Sequence, residues 1–388
     1  MKIAILTQPL HVNYGGLLQN FALQKVLKDM GHEVYTVDLP FRDFWYSKYR
    51  AIAANIVKKY ILGRKEISNI IPKSNAPTAK EKLIISQYTE KFISENIDLT
   101  QRISIVEKLP KLRNYNFDAF VVGSDQVWRM AYSPGIFAFF LDFLFKNENI
   151  TKIAYAASFG IDYWEYDEVT TNKLKLLIQK FDAISVREKS GVKLCRKYLD
   201  VNANFVLDPT FLLKKEHYVL FAEKAQSYFS PHSKSILLYV LDDSAMKRKV
   251  IAVVQEMLGM KTTSAMPEKK YEEKNWSDVE ECVYPPVENW VRNFMDAEFV
   301  ITDSFHGTLF SIIFNKQFLV IGNKERGLSR FNSILGELNL EDRMIIDEKG
   351  LTNDFMTTPI NYEKVNEMLS DMQDLSIHFL EESLGVKN

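Results

Sequence analysis

Cysteine is scarce in this chain. Its 388 residues include only two, Cys195 and Cys282, and neither has a CxxC partner. A disulfide framework and a thiolate zinc site are both set aside, and a reducing compartment fits. An excess of one charge is also missing. Lys and Arg number 49 against 50 Asp and Glu, a formal net charge of −1. Nothing pulls the whole molecule toward nucleic acid or an acidic membrane, so any basic function must be local. Long hydrophobic runs are absent as well. The longest, Ile136 to Phe145, spans ten residues and contains Asp142, about half of the roughly 20 that a membrane helix needs. Met1–Leu6 is too short and too soon polar to read as a signal peptide. A soluble, cytoplasmic protein is expected. GxGxxG, HExxH, internal repeats and low-complexity tracts are not found.

What is present is globular composition, 46% apolar and 26% charged, in a length that suggests two domains. Lys2–Leu6 reads as a strand. A polar loop with Asn13, Tyr14 and the pair Gly15-Gly16 follows, then a helix-period stretch closed by Gly31, then a strand from Glu33. This β-loop-α-β order points to a parallel sheet. Further strands are expected at 117–122, 153–157, 183–186 and 205–207. Each runs into a polar set: Gly123-Ser124-Asp125-Gln126, Ser158-Phe159-Gly160, Arg187-Glu188, and Asp208-Pro209-Thr210. Ligands of open α/β sheets gather at the carboxyl ends of strands, so the four sets in succession read as one edge of a cleft. Asp208 before Pro209 also has the look of a turn former.

A second sheet begins near Ser235, after a polar linker. The stretch 299–314 carries its most telling pattern: an apolar strand Phe299–Thr302, a polar turn Asp303-Ser304, and apolar positions at helical spacing from Phe305. A helix N-terminus aimed past a strand's carboxyl end attracts anions. Asp303 or Ser304 would cap it, Gly307 would let a ligand approach, and His306 would bring a titratable proton. Residues 41–73 form a different kind of segment, aromatic and carrying eight basic residues against Asp43 and Glu66. That composition suits either a packed insertion with a solvated basic face or peripheral contact with a membrane.

The strings NYGGLLQNFAL (13–23), VVGSDQVW (121–128), YAASFG (155–160), ISVREKSG (184–191), VLDPTFLL (206–213) and ITDSFHGTLFSIIF (301–314) together resemble the polysaccharide pyruvyl transferase family. The resemblance spans essentially the whole chain. It implies two Rossmann-like α/β domains facing a cleft, similar to GT-B glycosyltransferases. Residues 1–215 would form the acceptor side, 216–360 the donor side, and 361–388 a helix crossing back to the first domain. It also implies transfer of pyruvate from phosphoenolpyruvate onto two hydroxyls of a sugar in a cell-surface polysaccharide precursor, leaving a cyclic ketal and phosphate. No cofactor or metal is called for. Family members with the better-described site carry Arg-Leu-His where this chain has Ser304-Phe305-His306, so a donor-binding arginine has been replaced.

The expected site follows from that chemistry. His306 is the general acid, with Asp125 or Asp303 taking a hydroxyl proton or orienting the imidazole. Arg187, Lys324, Arg326 and Arg330 are the cations available for the donor's carboxylate and phosphate, with Ser304, Phe305 and Gly307 at the helix start. Asn13, Tyr14, Gly15, Gly16, Ser124, Gln126 and Ser158 are expected on the acceptor side. A lipid-linked oligosaccharide at the inner membrane face is one acceptor that segment 41–73 would suit. Two rival readings stay open at this level: a GT-B glycosyltransferase using a nucleotide-sugar, and a non-catalytic glycan-binding protein.

Overall fold

A computed structural model describes residues 1–40, 77–133, 135–144, 149–225, 235–271, 278–324, 326–351 and 358–385. The basic segment 41–73 falls outside them. The strands of both sheets are short and the central ones are apolar and buried, the pattern of parallel strands covered on both faces. The first sheet has the order β2-β1-β3-β4-β5-β6, built from Lys2–Leu6 (β1), Glu33–Thr36 (β2), Ala119–Val122 (β3), Thr151–Ala157 (β4), Ala183–Val186 (β5) and Asn204–Phe205 (β6). The second has the order β11-β10-β9-β7-β8, from Ser235–Tyr239 (β7), Lys261–Ser264 (β8), Phe299–Thr302 (β9), Gln317–Ile321 (β10) and Met344–Ile345 (β11). Every pairing is parallel. All the carboxyl ends of one sheet therefore share an edge, and each sheet turns that edge toward the other.

Helices cover both sheets. In the first half they are Tyr14–Asp29 (α1), Ala79–Ile85 (α2), Gln87–Asn96 (α3), Glu168–Ile178 (α4), Lys189–Leu194 (α5) and Lys215–Lys224 (α6). In the second they are Ala245–Leu258 (α7), Val287–Asp296 (α8), Phe305–Ile313 (α9), Ser329–Glu337 (α10) and the long Tyr362–Ser383 (α11). Their ends are specified locally. The Thr78 hydroxyl accepts from the Glu81 amide and Glu81 reaches back, a capping box that starts α2. Ser244 and Asn361 cap α7 and α11.

One apolar cluster runs through both domains, from α1 by way of Trp290 and Phe294 on α8 to Leu380 on α11. Tyr14 opens α1 at its centre. Its ring stacks on Trp290 at 5.4 Å and its hydroxyl donates to the Pro285 carbonyl at 2.7 Å. Helix α11 reaches the first domain, where the Leu207 amide donates to Ser376 Oγ at 3.0 Å and Phe379 packs on Tyr155. Truncating the fully buried Trp290 to Ala should cost about 3–5 kcal/mol. Urea unfolding followed by circular dichroism would show this as a lowered midpoint, and an unchanged midpoint would mean that the stacked pair does not hold the domains together.

Candidate active site

The facing strand ends enclose a cavity of about 740 Å³, lined from both domains. His306 enters it from the second domain, in the first turn of α9. Ser304 caps that helix, its hydroxyl accepting from the Gly307 amide at 3.4 Å. The imidazole crosses to the first domain and lies against Gly15. A Cβ on Gly15 would fall 2.1 Å from His306 Nδ1, so only glycine leaves the ring its place. His306 is 6% exposed, and its Nε2 has no hydrogen-bond partner but lies 3.6 Å from Asp208 Oδ2.

Asp208 sits in the turn after β6 and ties the centre together. Oδ2 accepts from Arg187 Nη1 at 2.6 Å and from the Ser124 hydroxyl at 2.9 Å, and Oδ1 accepts from the Thr210 hydroxyl and amide at 2.8 and 3.1 Å. Burial alone would raise its pKa. The nearby His306 and the Arg187 charge outweigh that and hold the carboxyl well below its usual range. Asp125 lies beside it, accepting from Arg187 Nη2 at 2.9 Å. Against a burial effect that would raise it, the charges of Arg187, His306 and Arg330 keep its carboxyl low. Asp125 has φ +76°, a left-handed conformation that non-glycine residues avoid, and it lines the cavity. Strain of this kind gathers at functional sites.

Arg330, near the start of α10, lines the cavity at 8% exposure. Its Nε has no hydrogen-bond partner, and among the described residues no ion pair holds its guanidinium. The Phe305 ring lies between the two arginines, 4.8 Å from the Arg187 guanidinium and 5.5 Å from that of Arg330. Burial and then the charge of Arg187 push the Arg330 pKa down to about 10, which leaves it cationic at neutral pH.

Several expected site residues have other work. Arg187 does not line the cavity, because both its terminal nitrogens are bound to Asp208 and Asp125. Asp303 does line it, yet its carboxylate accepts from Lys247 Nζ at 2.5 Å, the Leu241 amide at 2.8 Å and Arg326 at 3.4 Å. That leaves Asp125, not Asp303, as the carboxylate presented with fewer partners. Gly307 serves close packing instead of ligand approach, since a Cβ there would meet Thr302 and Tyr239. Tyr14 lies in the interdomain core and not in the cavity wall. Ser124 and Ser158 sit behind the wall, on Asp208 and on Glu188. Lys324 is exposed and outside the lining, whereas Arg326, Ser304, Phe305, Asn13, Gly16 and Gln126 lie within it.

In the sequence Asp208 reads as a turn former within the polar set 208–210 of the cleft edge, and it is not among the expected site residues. Glu188 is a second brace. Its Oε1 accepts from Ser158 Oγ and from the Phe159 and Gly160 amides at 3.0, 2.7 and 2.9 Å. The turn it holds meets Gly327 of the second domain, where a Cβ would fall 2.2 Å from the Gly160 carbonyl.

These two parallel-sheet α/β domains, with a cavity between their carboxyl edges, define a GT-B-like fold. Solved structures similar to the chain carry the same architecture. The S. aureus MnaA–UDP co-structure matches over 100% of this chain and 97% of its own at 13% identity and TM-score 0.51. The UDP-GlcNAc 2-epimerase from Neisseria meningitidis bound to UDP-GlcNAc matches over 98% and 100% at 10% identity and TM-score 0.53. At such identities the likeness speaks to fold alone. Comparison with curated proteins yields no match. The family model for polysaccharide pyruvyl transferase matches residues 13–325, and the chain belongs to that family.

Two outcomes follow from the geometry. Gly15→Ala should displace the His306 ring and lower turnover on the order of 10²-fold, while far-ultraviolet circular dichroism stays native; full activity would show that the ring position is not critical. Asp208→Asn breaks a buried ion pair and should cost about 3–5 kcal/mol at neutral pH. Because the folded pKa of Asp208 is depressed, its stabilisation is present above the ordinary carboxylate pKa of about 4 and is lost as pH falls below that. The gap in unfolding free energy between wild type and variant should therefore narrow in acid. A gap independent of pH would remove Asp208 from this role.

Proposed function

We propose that this chain transfers pyruvate from phosphoenolpyruvate to two hydroxyls of a sugar acceptor, forming a ketal and releasing phosphate. The observation that carries the reading is Arg330, a buried cation without an ion-pair partner among the described residues, in the same cavity wall as His306 and the capped start of α9. The donor needs cationic and amide partners for its carboxylate and phosphate. With Ser304 where relatives place arginine, and with Arg187 committed to Asp208 and Asp125, Arg330 is the cation left to receive the donor, and Arg326 stands farther out, shared with Asp242 and Asp303.

In this reading His306 protonates the methylene carbon of the enol ester, which becomes the methyl group. The electrophilic central carbon is attacked by the first acceptor hydroxyl. The second hydroxyl then attacks the same carbon as the carbon–oxygen bond to phosphate breaks. Of the two hydroxyl protons released, one balances that taken up by carbon and the other leaves with phosphate. Asp125, held ionised by its cationic neighbours, accepts a hydrogen bond from an attacking hydroxyl. Arg187 and Asp208 do not touch substrate; they fix Asp125 and His306. The interdomain placement of the cavity leaves room for a sugar beside the small donor.

Calorimetry with phosphoenolpyruvate, with UDP-glucose and GDP-mannose as controls, tests this. Saturable binding of phosphoenolpyruvate is expected, weakened roughly 10–100-fold in Arg330→Ala and partly kept in Arg330→Lys. His306→Ala should retain donor binding and lose about 10²–10⁴-fold in phosphate release. Binding of a nucleotide-sugar with phosphoenolpyruvate silent would replace this reading with that of a glycosyltransferase.

A further inference from the structure

The cavity is larger than the donor requires, and its outer wall has a distinct character. Tyr132 lines it while 42% exposed, a large aromatic ring left open at the mouth. The ring is held in place. The Arg129 guanidinium lies 4.6 Å from its centroid, and Arg129 is itself fixed by Gln126 Oε1 at 2.9 Å and by the Arg326 carbonyl of the other domain at 3.5 Å. The backbone beneath the ring is a hydrogen-bonded turn, with the Tyr132 and Ser133 amides both donating to the Arg129 carbonyl at 3.1 Å. Ser133 is anchored in turn, its hydroxyl donating to the Val127 carbonyl at 2.6 Å and accepting from Gln8 Nε2 at 3.1 Å.

Gln8 supplies the second observation. Its Nε2 also donates to the Gln126 carbonyl at 2.8 Å, which fixes the orientation of the amide. Its Oε1 is then left buried without a hydrogen-bond partner, on a cavity-lining side chain that is only 8% exposed. A buried acceptor without a donor is costly unless a ligand supplies one. Asn13 extends the same wall with an exposed amide.

From this we infer an acceptor subsite for a pyranose, with Tyr132 as the platform for its C–H face and Gln8 Oε1 as the acceptor for one of its hydroxyls. An amphipathic ring matches a rigid aromatic face beside a lone carbonyl oxygen. The small, highly charged donor has no such face and belongs at Arg330. The inference rests on the pyruvyl transfer reading for the order of the two substrates, but the sugar contact is measured independently of the donor. Tyr132, Arg129 and Gln8 were not among the residues expected on the acceptor side; Gln126 and Asn13 were.

Saturation-transfer difference NMR on the full chain tests the subsite, with methyl β-D-galactopyranoside and methyl β-D-glucopyranoside as probes, each with and without phosphoenolpyruvate. The galactoside gathers C3–H, C4–H and C5–H on one face, so those protons should receive the strongest saturation. Tyr132→Ala should weaken glycoside binding on the order of tenfold, Tyr132→Trp should keep it, and Gln8→Leu should weaken it while phosphoenolpyruvate affinity stays within about twofold in all three. Intact glycoside contacts in Tyr132→Ala, or no saturation of either glycoside in the wild type, would each overturn the assignment. A silent donor with a Tyr132-dependent glycoside signal would instead sink the pyruvyl transfer reading and leave the sugar subsite standing.

Discussion

Asp208 is the carboxylate on which the centre depends. It is buried among partners drawn from three loops of the first domain and faces the histidine of the second. Arg187 satisfies it and is satisfied by it, and the spare nitrogen of Arg187 fixes Asp125 in a strained backbone conformation. Buried ion pairs contribute little net stability compared with an apolar core of the same shape, but they tolerate few alternative arrangements. Here that intolerance is put to use. Arg187 and Asp208 are spent on each other and on Asp125 behind the cavity wall, which leaves Asp125, Arg330 and His306 along the cavity itself.

The two domains meet over apolar and polar surfaces of different kinds. The stacked Tyr14 and Trp290 belong to a continuous apolar cluster that extends to α11, and such a core tends to hold domains together rather than let them slide. The polar meeting point lies where Gly15 receives His306 and where the turn braced by Glu188 touches Gly327. Polar groups at an interface of this sort are positioned by the apolar packing around them. The placement of His306 against Gly15 and Asp208 is thus a property of the pair of domains and of neither one alone.

Much of the fold was readable in the chain because parallel strands buried on both faces are continuous apolar runs, and the polar set after each run marks its carboxyl end. Val121–Gly123 and Ile301–Asp303 illustrate this. The strand expected over Glu33 to Asp38 stops at Thr36, whose backbone also pairs with the 98–100 segment. The site was readable in part. His306, Asp125 and Arg330 could be named from strand ends and charge. What sequence could not distinguish was an arginine spent on a neighbouring carboxylate from one left free. Arg187 and Arg330 look alike as letters, and their difference lies in whether Asp208 folds against them. Tyr132 and Gln8 escaped notice for a related reason: they acquire meaning only when loops after β1 and β3 are brought side by side.

Gly15 and His306 are separated by most of the chain and by a domain boundary, yet the ring of one occupies the volume that a side chain on the other would fill. A change at either position is therefore judged by the state of the other. Replacing the histidine removes the reason for a glycine, and adding any side chain at 15 removes the room for a histidine. The two positions are sterically one choice, and a route through sequence space that put a side chain at 15 while keeping the histidine would pass through a protein with that ring displaced.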